Sequence, residues 1–238
     1  MSKLGIIAAL PAEAHCLRTE KYKLNSPLEI QKDIFVCISG MGAKNASTSA
    51  RKLIEINVNA LISWGVAGAI TSMLKPGDLL IANEVICEDT SLFPDDRWGR
   101  NIALDLNNTS ISIYLEKLVS TDNMCSTPDD KMHLAANTGA YAVDMESAAI
   151  AKIAKEKEID FLVLRAIADD VNTFIPTVVT QHTDILGRPK LLPFIISCLK
   201  QPGQIKELIK LAKYYNQALL TLKQIAPDLK KQHFLYNS

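Results

Sequence analysis

Apolar positions fall into runs of strand length, with helical stretches between them. LGIIAAL (4–10), IFVCIS (34–39), ALISWGVA (60–67), DLLIANEVI (78–86), AYAVDM (140–145) and FLVLRAIA (161–168) read as strands. Several are apolar on both faces, as strands of a sheet covered on two sides should be. AEAHCLRTE (12–20), AKNASTSARKLIEI (43–56), SISIYLEKLVS (110–120) and ESAAIAKIAKEKE (146–158) read as helices. Alternation of this kind through residue 168 predicts an α/β fold, a three-layer α/β/α sandwich around a central mixed sheet. No linker, repeat or low-complexity tract divides the chain, so residues 1–238 are expected to form one domain.

After Asp170 the pattern changes, and 171–238 reads as a variable, mostly helical tail. TFIPTVVTQHTDILGRPK is loop-like, and LLPFIISCLK and IKELIKLAKYYNQALLTLKQI follow it. Ile205, Leu208, Ile209, Leu211, Leu219 and Leu222 fit a helical stripe with lysines opposite. Such a stripe packs on the domain, or else meets a partner subunit, an apolar substrate or a membrane surface.

Composition narrows the class. Lys plus Arg equals Asp plus Glu at 26 each, so the formal net charge is zero and no electrostatic footprint for nucleic acid exists. The five cysteines are widely spaced and form no CxxC pair, and although His15 adjoins Cys16, no set of cysteines and histidines has metal-ligand spacing. Neither a disulfide framework nor a zinc site is indicated, and a reducing cytoplasm fits best. MSKLGIIAALPAEA has the outline of a signal peptide, but a strand entering a helix explains it equally well. LLPFIISCL (191–199) is too short to span a bilayer.

Candidate chemistry lies where strands turn into helices, the place where open α/β sheets bind ligands. Glu13 follows LGIIAAL and Pro11, Glu146 follows AYAVDM, and Asp169 and Asp170 follow FLVLRAIA. Each has a structural alternative, since an acid in a first helical turn favours the helix dipole and an aspartate caps turns. Together they outline an acidic cleft. Asp144 and Glu146 would share one face of an extended strand, with Met145 on the other, unless a helix begins at Glu146. Two glycine-bearing turns, SGMGAKNA (39–46) and WGVAGAI (64–70), allow close approach of backbone to a ligand. No Walker or Rossmann glycine motif is present.

In order along the chain, GIIAALPAEA, SGMGAKNA, WGVAGAI, LKPGDLLIANEV, AVDMESAAIA and VLRAIADD resemble landmarks of the nucleoside phosphorylase and nucleosidase superfamily. The likeness is greatest to its methylthioadenosine/S-adenosylhomocysteine nucleosidase branch. The tail, GRPKLLPFIISCLKQPGQIKELIKLA, is similar instead to the hopanoid-biosynthesis-associated phosphorylase-like proteins, proposed to remove adenine from adenosylhopane.

The resemblance implies roles. Glu146 would hold the ribosyl hydroxyls, with Met145 packing against the sugar. Asp169 would be the acid that protonates the purine towards N7, and Glu13 would orient and activate the attacking water, with Arg165 beside it. Met124, Cys125 and Val66 would line the base pocket, and Leu10 and Met41 the 5′ pocket, whose apolar wall suits a hydrocarbon substituent. The chain also departs from the nucleosidases. Val66 and Ala168 stand where they have serines, Met124 where an aromatic stacks on the base, and EDTSLFPDDRWGRN (88–101) forms a shorter loop.

Three readings follow. The first is a nucleosidase that releases adenine from an adenosine-type nucleoside with an apolar 5′ group, using water and no cofactor or metal. The second is a phosphorylase using phosphate, which would demand cationic ligands. The third is a non-catalytic nucleoside- or lipid-binding protein. The partners expected are a small nucleoside, free or lipid-linked, a second copy of the chain in a homodimer, and a membrane surface touched peripherally. For a hopane-sized group, Phe174, Ile175, Val178, Val179, Leu191, Leu192, Phe194 and Ile195 would supply channel walls; otherwise they complete the core.

Overall fold

A computed structural model describes residues 3–88, 90–176, 184–187 and 203–235. The elements run β1 (Leu4–Ala8), α1 (Pro11–Leu17), β2 (Leu28–Gln31), β3 (Ile34–Ile38), α2 (Ala43–Glu55), β4 (Ala60–Ala69), β5 (Leu79–Cys87), β6 (Thr90–Leu92), α3 (Asp96–Asp105), β7 (Ile113–Ser120), α4 (Pro128–Thr138), β8 (Ala142–Asp144), α5 (Ser147–Glu156), β9 (Asp160–Asp169) and α6 (Gln204–Leu235).

The sheet is mixed, as expected. Its path is β2-β3-β1-β4-β8-β7-β5-β6, and β9 pairs with both β4 and β5. That double pairing closes a ring of five strands, β4-β9-β5-β7-β8. β1, β4 and β9 run parallel, so their carboxyl ends share one edge.

Alternation along the strands feeds two cores. Ile6, Ile62, Leu162 and Leu164 pack with α1, α3 and α6, through Leu17, Ile102 and Leu222. Ile7, Leu61, Leu80 and Val163 pack with α2 and α5, through Leu53 and Ile150. Helices therefore cover both faces, which is why these strands carry so few polar residues.

Three expectations need correction. SISIYLEKLVS is not a helix, because Ile113–Ser120 is strand β7, paired with β5 and β8. Ile113 and Leu115 join one core while Tyr114 and Leu118 join the other. A strand apolar on both faces also satisfies helical spacing, and here β-pairing partners decide. Residues 88–101 are not simply loop; Thr90–Leu92 extends the β5 edge, and Asp95 caps α3 by accepting the Trp98 N–H. The tail stripe is buried in one half only. Ala218, Leu222, Ile225, Ala226 and Leu229 are buried, whereas Ile205 and Ile209 are exposed. Thr221 Oγ1 ties α6 to the Gly77 carbonyl at 2.6 Å.

Leu222 is fully buried and Ile209 is 66% exposed. Leu222→Ala is therefore expected to cost about 2–5 kcal/mol, and Ile209→Ala less than about 0.5 kcal/mol. Denaturant titration of both variants checks this.

Candidate active site

Pro11 opens α1 at a position where its missing N–H costs nothing. Glu13, two residues on, turns back towards the sheet edge. Its Oε2 accepts the Leu10 N–H at 2.8 Å and its Oε1 accepts the Val66 N–H at 2.9 Å. Its carbonyl accepts the Trp64 indole N–H at 3.0 Å. Burial pushes the carboxyl above its usual range, opposed by the Arg165 charge and by backbone N–H groups.

The glycines of WGVAGAI serve these acids. A Cβ at Gly65 would lie 2.6 Å from Glu13 Oε1 and 2.8 Å from Arg165 Nη1. One at Gly68 would lie 3.0 Å from Asp169 Oδ2. Between β4 and β9 the register steps from Ala67↔Ile167 to Gly68↔Asp169. The extra residue, Ala168, forms a bulge, a device that re-aims side chains beside binding sites. These two glycines thus make room for side chains, and Gly68 also borders the cavity described below.

The two acids around Met145 do different work. Asp144 ends β8 and accepts from Arg165 Nε at 2.9 Å and Nη2 at 2.6 Å. It also accepts from Ser120 Oγ at 2.6 Å and the Ser147 N–H at 3.1 Å. Arg165 Nη2 further donates to Ser63 Oγ at 2.7 Å and Ser147 Oγ at 3.1 Å. Glu146 has left the strand and stands at the N-terminal cap of α5. Its Oε1 accepts the N–H of Gly42 at 2.8 Å. Gly42 has φ +94°, a conformation that glycine adopts without strain. Burial pushes Glu146 up to about 7, with the Asp144 charge adding and the Arg165 charge and Gly42 N–H opposing.

Glu13, Glu146 and Asp169 line one cavity of about 180 Å³, with Leu10, Met41, Val66, Met124, Cys125 and Met145. Ala168, Thr121 and Ile175 also border it. Arg165 does not reach the wall; it stands behind Asp144 with 2% exposure. Ile185, 48% exposed, lies beyond Met41, whose N–H donates to its carbonyl at 2.8 Å. Of the channel residues named from sequence, Phe174 is half-buried and Ile175 buried; Val178, Val179, Leu191, Leu192, Phe194 and Ile195 lie outside the described residues. A wider groove of about 700 Å³ between α2 and α5 contains none of the three acids.

Sequence reading missed Lys131. It is fully buried on α4, and its ammonium donates to Asp169 Oδ1 and to the carbonyls of Asp170 at 2.8 Å and Thr173 at 3.1 Å. PDDKMHLAANT shows no apolar stripe that would set this lysine apart from a solvated one. Burial pushes Asp169 above the usual carboxylate range, and Lys131 opposes that rise. Among the described residues, no group of three or more His, Cys, Asp or Glu could hold a metal ion, and no helix is long and apolar enough to cross a membrane.

Fold and site define an α/β protein with a small, acid-lined cavity at the carboxyl edge of a mixed sheet. The phosphorylase superfamily model matches residues 3–184, and the chain belongs to that superfamily. A 5′-methylthioadenosine/S-adenosylhomocysteine nucleosidase of Buchnera aphidicola is 30% identical over 204 residues, 71% of this chain and 80% of that protein. Its namesake in Staphylococcus haemolyticus is 26% identical over 203 residues, 71% and 87% of the two chains. The structure of the Neisseria meningitidis nucleosidase of that name, in complex with methylthio-immucillin-A, superposes with a TM-score of 0.72 at 19% identity, covering 97% of this chain and all of the other.

The Glu146 carboxyl makes a stability prediction. Held near 7 against an ordinary 4.5, it keeps its proton in the folded chain when the unfolded chain has lost it. Its contribution to stability therefore falls as pH rises through that window. Glu146→Gln is expected to gain on the order of 1–3 kcal/mol over the wild type at pH 8 and nothing at pH 4. Denaturant titrations at the two pH values check it.

Proposed function

We propose that the protein hydrolyses the N-glycosidic bond of an adenosine-type nucleoside carrying an apolar 5′ substituent, releasing adenine. The observation that carries this reading is the meeting of Glu13, Glu146 and Asp169 on one small cavity, each held differently. The relatives described above are named for two adenosine-type nucleosides, and one of them, 5′-methylthioadenosine, carries an apolar 5′ group.

On this reading Glu146, when ionised, accepts hydrogen bonds from the ribosyl hydroxyls, and Met145 packs on the sugar. Asp169 gives its proton to N7 of the purine as the bond from C1′ to the base breaks and its electron pair leaves with the base. Water adds to the oxocarbenium-like C1′ and loses a proton to Glu13. The burial that raises Glu13 makes it the better proton acceptor. Arg165 holds Asp144 and lends its charge to Glu13 from behind the wall, which is a positioning role. Met124, Cys125 and Val66 face the base, and Leu10 and Met41 face the 5′ group.

Water is favoured over phosphate by the wall itself. None of the described lining residues is Lys or Arg; Lys131 is paired with Asp169, and Arg165 is paired with Asp144 and lies 4.0 Å from Glu146. Among the described residues, a phosphate group would meet carboxyls whose nearby cations are already paired.

The cavity, at about 180 Å³, is smaller than the roughly 300–1,000 Å³ usual for ligand pockets. That supports a compact 5′ group such as methylthio. The residues named from the sequence as further walls for a polycyclic group, as in adenosylhopane, lie outside the described residues from Val178 on.

The test is release of free base from 5′-methylthioadenosine, S-adenosylhomocysteine, inosine and adenosylhopane, each with and without phosphate. Adenine release independent of phosphate is expected, and a strict phosphate requirement would overturn hydrolysis. Asp169→Asn should still bind nucleoside and lose about 10²-fold or more in turnover, as removal of a general acid does. Near-normal turnover by that variant would remove Asp169 from the role.

A further inference from the structure

Lys131 is an unusual residue to find fully buried on a short helix whose other described side chains are partly or wholly exposed. An ammonium has three N–H groups, and here each has an acceptor: Asp169 Oδ1, the Asp170 carbonyl and the Thr173 carbonyl. The start of α4 is fixed independently, by Pro128 in the first turn and by Thr127, whose Oγ1 accepts the Asp130 N–H at 3.1 Å. The lysine therefore enters from a set position and fastens both the carboxyl and the loop leaving β9. Thr173 Oγ1 closes that loop by donating to Asp170 Oδ1 at 2.8 Å.

Asp169 Oδ2 is left free of hydrogen bonds among the described residues, on a side chain that borders the cavity. We propose that Lys131 is the positioning residue for the acid: it occupies Oδ1, leaves Oδ2 to face the base, and makes Asp169 a readier proton donor than burial alone would leave it. This rests on Asp169 being the acid of the proposed hydrolysis. When Asp169 gives up its proton, the product is a carboxylate already paired with an ammonium, which is where a buried charge needs its partner most.

Other charges face the same carboxyl. Cys125 approaches from the stretch before α4, its thiol raised by burial, lowered by Lys131, and raised further by Asp130 and Asp169. Asp170 follows on the same strand exit and raises Asp169, and Lys210 of α6 lies 3.9 Å from Asp170 Oδ2. Glu13 and Glu146 stand across the cavity. Lys131 is the cation in hydrogen-bond contact, so its removal should dominate.

The experiment is the pH profile of kcat/KM for adenine release from 5′-methylthioadenosine in wild type, Lys131→Met and Lys131→Gln. The alkaline limb reports ionisation of the acid. Loss of the lysine charge should move that limb to higher pH by about one unit or more, while the rate at the optimum falls at least about tenfold. Lys131→Gln keeps a hydrogen-bond donor without the charge. It should move the limb as far as Lys131→Met does and recover part of the rate, and it serves in place of Lys131→Met should that variant not fold. A lower rate with the limb unmoved would reduce Lys131 to a packing role and overturn the proposal.

Carbon-13 titration of aspartate carboxyls, with Asp169 assigned by its absence in Asp169→Asn, separates this from the functional reading. The Asp169 signal should titrate at higher pH in both lysine variants whether or not any nucleoside is turned over, and identical titration would sink the proposal alone. Full activity of Asp169→Asn would instead sink the reading of the site.

Discussion

The interaction on which the site depends is the pairing of Arg165 with Asp144. Both side chains are nearly without solvent, at 3% and 1% exposure. Removing one partner from such a pair strands a buried charge, at a cost of about 3–5 kcal/mol. Around it gather Ser63 of β4, Ser120 of β7 and Ser147 of α5, so one guanidinium and one carboxylate tie β9, β8, β4, β7 and α5 together. The five-stranded ring thus has a polar knot where the ends of β7 and β8 meet side chains from the middle of β4 and β9. Glu146 and Asp169 take their positions from elements that this knot joins, and Glu13 of α1 meets one of them through the Val66 N–H of β4.

Bringing Glu13, Glu146 and Asp169 to one cavity beside Asp144 is costly, because each loses water and Glu146 feels the charges of Asp144 and Glu13. The fold meets that cost with three separate sets of donors. Glu13 takes two backbone N–H groups, Glu146 takes one from a glycine turn, and Asp169 takes a buried ammonium. None of the three is fully compensated, and all are raised by burial. Carboxyls raised in this way hold their protons to higher pH than surface acids do. The room they occupy comes from absent side chains, at Gly65 and Gly68, and from one extra residue in β9.

Much of this architecture was legible in the chain. Runs such as LGIIAAL, ALISWGVA and FLVLRAIA read as strands covered on both faces, and their recurrence with helices between them pointed to a layered α/β fold. Acids following those strands pointed to the edge where ligands bind. SISIYLEKLVS was misread because an apolar segment without strict alternation satisfies strand and helix spacing alike, and only the partners β5 and β8 resolve it. The α6 stripe was half right: spacing shows which side is apolar, not how far along the helix there is a core to cover it.

What the sequence by itself determined, then, was the class of fold and the places of Glu13, Glu146 and Asp169 at element ends, since periodicity and chain order are local properties. Tertiary structure decided which charges meet. Lys131 and Asp169 are 38 residues apart, and Arg165 and Asp144 are 21 apart. Nothing in their neighbours' spacing announces either pair. Whether a lysine is solvated or buried against an acid depends on desolvation and on geometry across elements, and both exist only once the sheet has closed.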